Sequence, residues 1–308
     1  MSLVSFLKPK GPNGFGSSST AEEVSAGLDL SHKTILVTGC NSGLGLETVR
    51  VLALRGDHVI GLARTFQKAQ DALSKLVGGK TTSFACELAD PKSVQDCIRA
   101  ICASGLKLDS IICNAGIMAL PELAQDYGYE RQFFTNHIGH FALVTGLLDQ
   151  LNPSGRVIVL SSSAHRMAPK GGVDFGNLKG EKSYSAWPAY GQAKMANLVF
   201  AKELARRFKG TGKTAYAVHP GVIATNLSRS MNPILAKIFK MTEPLFLKSV
   251  GQGAATQVYL AVTPNPGAES GAYFADCNPA RSRPDAADPE LGLKLWQVSE
   301  KILADLKH

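Results

Sequence analysis

The six cysteines of this 308-residue chain form no pattern that holds a metal ion. There is no Cys-x-x-Cys pair and no close group of cysteine and histidine, which are the arrangements that zinc sites use. Cys40, Cys86 and Cys113 stand at or just after the ends of apolar runs. We therefore expect a reduced compartment and no metal site.

Long runs of one kind of residue are also missing. The net charge is +8, yet no block of five like charges occurs, so nucleic-acid binding is not expected. No uninterrupted apolar stretch approaches the roughly 18 residues of a membrane-spanning helix. The apolar stretch in residues 1–10 is too short for a signal-peptide core, and no convincing transit peptide follows. These absences favour a cytoplasmic location, with an organelle as the alternative.

The chain does contain enough apolar residues for one large domain. It is 44% hydrophobic and 19% charged, and no shift in composition marks a second domain. Residues 8–19 are rich in Gly, Pro and Ser, and residues 20–23 form a capping-box pattern that predicts a short helix. We therefore predict a flexible lead-in with a short helix at 1–30 and one domain at 31–308.

Strand and helix patterns alternate from residue 34 onward. Most strand-like runs are almost continuously apolar, as in parallel strands that are covered on both faces. Short connections between the patterns favour right-handed βαβ units in a doubly wound α/β sheet with seven mainly parallel strands. The strands are expected at 34–38, 58–63, 81–85, 108–113, 156–161, 214–219 and 272–275, and the helices at 43–55, 65–77, 91–104, 127–151, 187–209 and 250–261.

A glycine-rich turn with the spacing Gly-x3-Gly-x-Gly follows the first predicted strand. Its first glycine permits a tight bend, its second lets backbone amides approach a pyrophosphate, and its third permits close packing of a helix on the strand. The helix N-terminus adds partial positive charge. The pattern predicts a dinucleotide site, although a turn without a ligand is the alternative. The expected contacts are Gly39, Asn41, Ser42, Gly43, Leu44 and Gly45.

The end of the second strand indicates which dinucleotide binds. An acid there would bind a ribose hydroxyl, whereas a base would accept a 2′-phosphate. The strand ends at Arg64, no acid follows closely, and a guanidinium forks readily onto a phosphate. The sequence therefore favours NADP(H) over NAD(H), with a solvated surface charge as the alternative for Arg64.

Two further segments carry chemistry. Asn114, Ala115 and Gly116 follow the fourth strand and are small enough to pass close to a nucleotide ribose, although an ordinary Asx turn is the alternative. Tyr190 and Lys194 are one helical turn apart and share a face. The ammonium would lower the tyrosine pKa from its usual value of about 10, so that the hydroxyl exchanges a proton with a carbonyl or alcohol oxygen as hydride moves.

In this order the motifs resemble those of the classical short-chain dehydrogenases/reductases, over about residues 34–275. The resemblance implies that Asn136, Ser162, Tyr190 and Lys194 form a catalytic tetrad. Ser162, at a strand tip, would bind the substrate oxygen, and Ser161 and Ser163 are alternatives to it. Asn136 would hold a water that links Lys194 to solvent, and Lys194 would also bind the nicotinamide ribose.

The resemblance also implies further cofactor contacts. Pro220 and Gly221 belong to a segment that lies beside the nicotinamide in this family. The family usually has Asp-Leu after the third strand, near the adenine, whereas this chain has Glu87 and Leu88. The longer Glu87 side chain either still reaches the adenine amino group or loses that contact.

Within the family the chain resembles the retinol dehydrogenase-like branch, which includes the WW-domain oxidoreductases. This branch often handles lipophilic carbonyls and alcohols, so an NADP(H)-dependent reductase of a small lipophilic carbonyl, or the reverse reaction, is expected. An NADP(H)-sensing scaffold with little turnover and a double-bond reductase of the protochlorophyllide type are the alternatives. The resemblance is carried by the segments 14–23, 136–141, 161–165 and 295–299.

The resemblance finally implies assembly and a substrate lid. The family commonly forms dimers and tetramers through the helices here predicted at 127–151 and 187–209, so a homo-oligomer is expected. Residues 223–250 correspond to a substrate lid, and within them apolar residues alternate with lysines. Our hypothesis is that this lid also contacts a membrane surface peripherally, whereas an amphipathic helix packed on the sheet is the alternative.

The histidines are assigned to packing rather than to chemistry. His137, His140 and His165 suggest a metal site or a proton relay, but no carboxylate or cysteine completes a ligand set beside them. His219 precedes a proline and is expected to pack at a strand end.

Overall fold

The computed structural model of the protein describes residues 8–223 and 247–306. Its strands follow the predicted apolar runs closely, because side chains buried on both faces leave little freedom in strand position. They are β1 (Thr34–Thr38), β2 (His58–Ala63), β3 (Thr81–Ala85), β4 (Leu108–Cys113), β5 (Gln125–Asp126), β6 (Tyr129–Glu130), β7 (Leu151–Leu160), β8 (Thr214–His219), β9 (Tyr273–Ala275) and β10 (Asn278–Pro279).

Eight of these strands form one twisted sheet in the order β10-β9-β8-β7-β4-β1-β2-β3. Seven of them run parallel, and β10 pairs antiparallel with β9. The predicted doubly wound, mainly parallel sheet is therefore confirmed, and the additional strand is a two-residue edge too short to show a pattern. The winding direction reverses between β1 and β4, where folds of this type bind ligands at the carboxyl ends of the strands.

Helices cover both faces of the sheet. The capping box predicted at residues 20–23 is present, and Pro91 occupies the first turn of its helix. The helices are α1 (Ala21–Val24), α2 (Gly43–Leu54), α3 (Phe66–Leu73), α4 (Pro91–Ala103), α5 (Arg131–Phe133), α6 (Gly139–Gly146), α7 (Ala186–Arg207), α8 (Val250–Val262) and α9 (Pro289–Asp305), with a π turn at Phe134–Ile138 and 3₁₀ turns at Ser163–Met167 and Pro284–Ala287.

The helix predicted at 127–151 is wrong at both ends. Tyr127 and Gly128 have φ of 51° and 78° and form the tight turn of the β5–β6 hairpin, so the helix begins only at Arg131. The helical stretch continues through the π turn into α6 and ends at Gly146. The hairpin therefore occupies chain that periodicity alone assigns to the helix.

The core lies on the two faces of the sheet. Buried side chains of α4, α6, α7 and α9 form one cluster, and those of α1, α2, α3 and α8 form the other. Helix α9 was absent from the predicted helices, yet its Trp296 ring lies 4.9 Å from Phe141 and 6.0 Å from Phe200. Arg207 stacks 3.7 Å above the same indole ring.

The lead-in packs on the rest of the chain more closely than its composition suggests. The Asn13 side chain donates a 2.8 Å hydrogen bond to the Cys277 carbonyl, and Phe15 lies 5.8 Å from the Tyr259 ring. The division at residue 30 therefore stays a prediction. Of the lid predicted at 223–250, residues 224–246 lie outside the described residues, whereas Ile223 and Lys248 pair in a parallel bridge. No described helix is long and apolar enough to cross a bilayer.

Candidate active site

The glycine-rich turn lies at the switch point of the sheet and shapes one end of a cavity of about 790 Å³. Gly39 and Gly43 have φ of 71° and 54°, a region that glycine adopts without strain. A Cβ at Gly45 would lie 2.1 Å from the Gly39 carbonyl oxygen, so only glycine fits. The first-turn amides of α2 also lack a side-chain cap, because Ser42 makes no capping hydrogen bond. These features fit the phosphates of a dinucleotide.

A hydrogen-bonded brace joins the ends of β1 and β4. The Asn114 side chain donates to the Thr38 carbonyl at 2.8 Å, and the Thr38 hydroxyl accepts from the amides of Asn114 and Ala115 at 2.9 Å each. Gln257 of α8 donates to the Asn114 side chain at 3.2 Å. The brace holds the predicted segment 114–116 against the glycine turn, and both segments line the cavity.

The residues predicted to contact the adenine half of the cofactor, Arg64, Glu87 and Leu88, all line the cavity, and their roles stay predictions. Arg64 is exposed and lines the cavity at the end of β2. Glu87 also lines it, but its carboxylate accepts a 3.2 Å hydrogen bond from the Ala89 amide, so the side chain turns back on its own loop. Leu88 is buried, and its carbonyl oxygen would lie 2.3 Å from a Cβ at Gly139. Among the described residues, the Arg64 guanidinium is thus free to bind an anionic group in the cavity, whereas one carboxylate oxygen of Glu87 is already used by the Ala89 amide.

Tyr190 and Lys194 lie on consecutive turns of α7, and the Tyr190 hydroxyl forms a hydrogen bond with Ser162. Burial raises the pKa of Tyr190 to about 12, and the hydrogen bond with Ser162 acts in the opposite direction. The Lys194 ammonium lies 5.7 Å from the Tyr190 ring centre, and burial lowers its own pKa to about 8. Desolvation therefore raises the pKa of Tyr190, whereas the sequence predicted that Lys194 would lower it, and the phenol is protonated at neutral pH.

Hydrogen bonds fix Lys194 and separate the three serines. The Lys194 ammonium donates to the Leu160 carbonyl at 3.0 Å. Ser161 is buried and donates to the Lys194 carbonyl at 2.7 Å, while Ser163 is exposed. Ser162 therefore stands nearest to the Tyr190 hydroxyl, as the register of the strand predicted, although its role stays a prediction.

Asn136 lies in the π turn, a helical irregularity that often occurs at functional sites. Its side chain forms a reciprocal pair with the backbone of Ile117, at 2.8 and 2.9 Å. A Cβ at Gly116 would lie 3.0 Å from the Asn136 amide oxygen and 3.5 Å from the Lys194 ammonium. The glycine therefore lets Asn136 and Lys194 approach the cofactor cavity from the same side.

The segment after β8 contains the other two predicted cofactor contacts, Pro220 and Gly221. Gly221 has a φ of 94°, and a Cβ there would lie 2.6 Å from the Lys248 side chain. Lys248 is itself buried and forms a 2.6 Å ion pair with Asp276. The turn is therefore held tightly against the described ends of the predicted lid.

Sequence reasoning missed the histidines that hold the site's backbone. His140 contacts the Asn136 carbonyl and His165 the Ser162 carbonyl, through Nδ1 in both cases. His219 accepts a 3.2 Å hydrogen bond from the Ser163 amide. Spacing offered one signal, since residues 136 and 140 are four apart and the side chain of one can reach the carbonyl of the other.

This sheet, with a glycine turn at its switch point and a buried Tyr/Lys pair beside it, defines a dinucleotide-dependent oxidoreductase. The chain belongs to the short-chain dehydrogenase family, whose family model matches residues 33–235. Its membership of the retinol dehydrogenase-like branch is supported by the relatives described next. The family fold binds a nicotinamide cofactor.

Three curated proteins illustrate this similarity. The short-chain dehydrogenase TIC 32 A, chloroplastic, of Brassica napus is 38% identical, and the match covers 96% of each chain. The human WW domain-containing oxidoreductase is 37% identical over 97% of this chain and 74% of its own. Mouse retinol dehydrogenase 12 is 37% identical over 90% of this chain and 88% of its own.

Solved structures show the same fold. An uncharacterised protein from Mycobacterium paratuberculosis superposes with a TM-score of 0.73 at 32% identity, over 91% of this chain and 97% of the other. A short chain dehydrogenase from Burkholderia cenocepacia, crystallised with NADP, has a TM-score of 0.60 at 22% identity over 76% of this chain and 91% of its own. At that identity the second comparison supports the fold alone.

Proposed function

We propose that the protein is an NADP(H)-dependent oxidoreductase that reduces an aldehyde or ketone to an alcohol, or catalyses the reverse reaction. The observation that carries the proposal is the hydrogen-bonded contact between Ser162 and a buried, protonated Tyr190 beside the cofactor cavity. A bound nicotinamide would supply or accept the hydride.

The side chains divide the remaining work. Ser162 orients the carbonyl oxygen, and the Tyr190 hydroxyl donates a proton to it. Lys194, which stays largely protonated at neutral pH, binds the cofactor ribose and stabilises the phenolate that proton transfer leaves behind. Because burial keeps Tyr190 protonated at neutral pH, its hydroxyl can act as the proton donor that reduction of a carbonyl requires.

Arg64 supports the choice of NADP(H). Its exposed guanidinium lines the cavity directly after β2, where it can form paired hydrogen bonds with a 2′-phosphate. The relatives leave this choice open, since a family match does not separate NAD from NADP.

A lipophilic substrate is favoured by apolar surface around Tyr190. Trp187, one helical turn before it, is 45% exposed, and the two rings lie 6.2 Å apart in an edge-to-face arrangement. Val222 follows Gly221 and is 49% exposed. Large apolar side chains exposed beside polar catalytic groups are typical of binding sites for apolar molecules.

The test is NADPH oxidation against aldehydes and ketones of increasing apolar size, retinal and steroid ketones included, with NADH in parallel. We expect turnover with NADPH and a loss on the order of 10²–10⁴-fold in kcat for Tyr190→Phe, because the variant lacks the proton donor. Tight NADPH binding without turnover on any carbonyl would instead support the sensing scaffold. Light-dependent turnover would support the double-bond reductase.

Assembly and location are separate proposals that rest on the resemblance. We expect a homo-oligomer, although α9 covers part of α6 and α7 near Phe141 and Phe200. Sedimentation velocity of the full chain tests this, and a single monomer boundary would contradict it. Peripheral membrane contact predicts co-sedimentation with anionic vesicles, and background levels with all lipids would remove it.

A further inference from the structure

His140 is fully buried and lies between two parts of the site. Its Nδ1 atom is 2.9 Å from the Asn136 carbonyl oxygen, and its Nε2 atom is 2.9 Å from the Thr38 hydroxyl. Thr38 belongs to the brace beside the glycine turn, whereas Asn136 belongs to the group that surrounds Lys194. One imidazole therefore contacts both the cofactor side and the proton-transfer side.

The hydrogen-bond partners fix the tautomer of this ring. A carbonyl oxygen only accepts, so Nδ1 carries the hydrogen and donates to Asn136. The Thr38 hydroxyl already accepts two backbone amides and has no lone pair left for a third donor, so Nε2 accepts the hydroxyl hydrogen at 2.9 Å, a shorter contact than the 3.5 Å to the Ile112 carbonyl. Burial, with the nearby charge of Lys194 acting in the same direction, lowers the pKa of His140 to about 4. The ring is therefore neutral at physiological pH.

The two hydrogen bonds of His140 fix the Thr38 hydroxyl and the Asn136 carbonyl. The Thr38 hydroxyl positions the amides of Asn114 and Ala115 at the cofactor cavity. The Asn136 carbonyl sits in the π turn, where the regular ladder of backbone hydrogen bonds is interrupted. Without His140, both polar groups would be buried with one hydrogen bond fewer.

We propose that His140 is a positioning residue that fixes the Thr38–Asn114 brace and the Asn136 backbone relative to each other through a neutral Nδ1–H imidazole. The proposal rests on the proposed function, because it concerns the geometry between cofactor and proton donor. In this proposal Nε2 supports cofactor binding through Thr38, and Nδ1 supports the catalytic step through the Asn136 backbone.

His137 provides a matched control within the same helical stretch. It is also fully buried, but its Nε2 atom bonds to the Ser299 hydroxyl of α9 at 2.9 Å, away from the site. Its pKa is likewise lowered by burial, to about 3. The two histidines therefore share burial and charge state and differ in what they hold.

The test uses amides that replace one ring nitrogen at a time. In His140→Asn the side-chain NH₂ takes the place of Nδ1, so the bond to Asn136 is kept and that to Thr38 is lost. In His140→Gln the amide oxygen takes the place of Nε2, so the bond to Thr38 is kept and that to Asn136 is lost. Both variants remain polar and smaller than or close to histidine in size.

We expect the two variants to split affinity from turnover. His140→Asn should weaken NADPH binding, measured by nucleotide fluorescence, on the order of tenfold while kcat stays within about twofold, the scale of one lost buried hydrogen bond. His140→Gln should lower kcat on the order of tenfold with NADPH affinity near that of the wild type. His137→Asn and His137→Gln should change melting temperature only.

Equal losses in both His140 variants, or losses that the His137 variants reproduce, would overturn the proposal. If the His140 variants do not fold, Thr38→Val removes this bond together with the two that the hydroxyl accepts from the Asn114 and Ala115 amides. It should therefore weaken NADPH binding by more than about tenfold while kcat stays within about twofold, and an unchanged NADPH affinity would contradict the proposal. The readouts also separate the two proposals. A wild-type protein that does not bind NADPH contradicts the proposed function, whereas NADPH binding that is identical in wild type, His140→Asn and His140→Gln contradicts only the role of His140.

Discussion

On the proposed cofactor side of the site, the cavity is shaped by backbone groups at strand ends and by glycines such as Gly45, where a Cβ would lie 2.1 Å from the Gly39 carbonyl oxygen. On the proposed substrate side, the described surface includes the half-exposed apolar side chains of Trp187 and Val222. The cofactor side is shaped by main-chain atoms that approach one another closely, so few residue types are tolerated there. The substrate side is shaped by the size of side chains, so many residue types are tolerated there, and each combination would suit a different substrate. The comparison teaches that cofactor choice and substrate choice can change independently.

The largest effect should come from adding a side chain to a glycine on the cofactor side. In Gly45→Ala the new methyl group meets the Gly39 carbonyl at 2.1 Å and the Asn114 side chain at 2.6 Å. A displacement of about 1 Å at this turn should lower kcat/KM on the order of a hundredfold. Gly251→Ala, also in the first turn of a helix but with 3.5 Å to its nearest neighbour, is the matched control. Equal activity of both variants would contradict the close-approach argument.

Arg64→Asp should change which cofactor is used and leave the substrate side alone. Loss of a charged hydrogen bond worth roughly 1.5–3 kcal/mol, replaced by an acid that can bind a ribose hydroxyl, should move the NADPH/NADH preference by about tenfold or more. The ratio of kcat/KM for the two cofactors measures it. Lys209→Asp makes the same charge change at an exposed position outside the site and should leave the ratio unchanged. An unchanged ratio in Arg64→Asp would refute the role of Arg64.

Trp187→Ala should have the converse effect, on substrates only. Losing the exposed half of an indole costs about 1–2 kcal/mol of apolar contact, or roughly tenfold in KM, for carbonyls large enough to reach it. Small aldehydes and NADPH should bind as before, and Trp187→Phe should restore most of the loss. If KM for small and large carbonyls rises together, Trp187 does not contact the substrate.

Asp57→Asn should affect neither side and should change only stability. This carboxyl is fully buried, its oxygens have no hydrogen-bond partner among the described residues, and burial raises its pKa to about 8. The Ile35 amide favours the ionised form but does not reach hydrogen-bonding geometry, and the negative charge of Asp109 opposes ionisation.

The sign of this effect follows from proton binding. Between about pH 4 and pH 8 the folded protein keeps a proton that the unfolded chain releases, so stability falls as pH rises, by at most ~1.4 kcal/mol per pH unit. Asp57→Asn should therefore raise the melting temperature more at pH 8 than at pH 5. Asp109→Asn is the control, since Asp109 accepts a hydrogen bond from the Thr34 amide and should lose stability at both pH values. A gain for Asp57→Asn that is independent of pH would show that its charge is not the cause.

Periodicity and residue type predicted much of this architecture. The four-residue spacing of Tyr190 and Lys194 implies a shared helical face, and the structure places the Lys194 ammonium 5.7 Å from the centre of the Tyr190 ring. The glycine turn was equally readable, because positive φ and close approach leave few alternatives to glycine. Such features depend on neighbouring residues only, so they can be predicted directly from the sequence.

Features that depend on distant contacts were not readable. A π turn inserts one residue into a helix and shifts its apolar pattern, but all five residues at Phe134–Ile138 are buried, so the shift left no signal in the sequence. The pKa of Tyr190 is raised chiefly because the whole fold buries the side chain, and the sequence around residue 190 does not show that burial. His140 looked like a packing residue because its partners, Thr38 among them, are as much as 102 positions away.

Helix α9 also affects the order in which the chain can fold. Residues 289–305 are synthesised after all the strands of the described sheet, yet Trp296 completes the packing around Phe141 and Phe200. Until these residues emerge from the ribosome, the two rings lack the indole contact, and the His137 imidazole lacks its hydrogen bond to Ser299. The active-site end of the sheet can form earlier, because its brace uses no residue beyond Gln257. A nascent chain could thus assemble its nucleotide pocket before its core has closed, and bound nucleotide would then favour completion of folding.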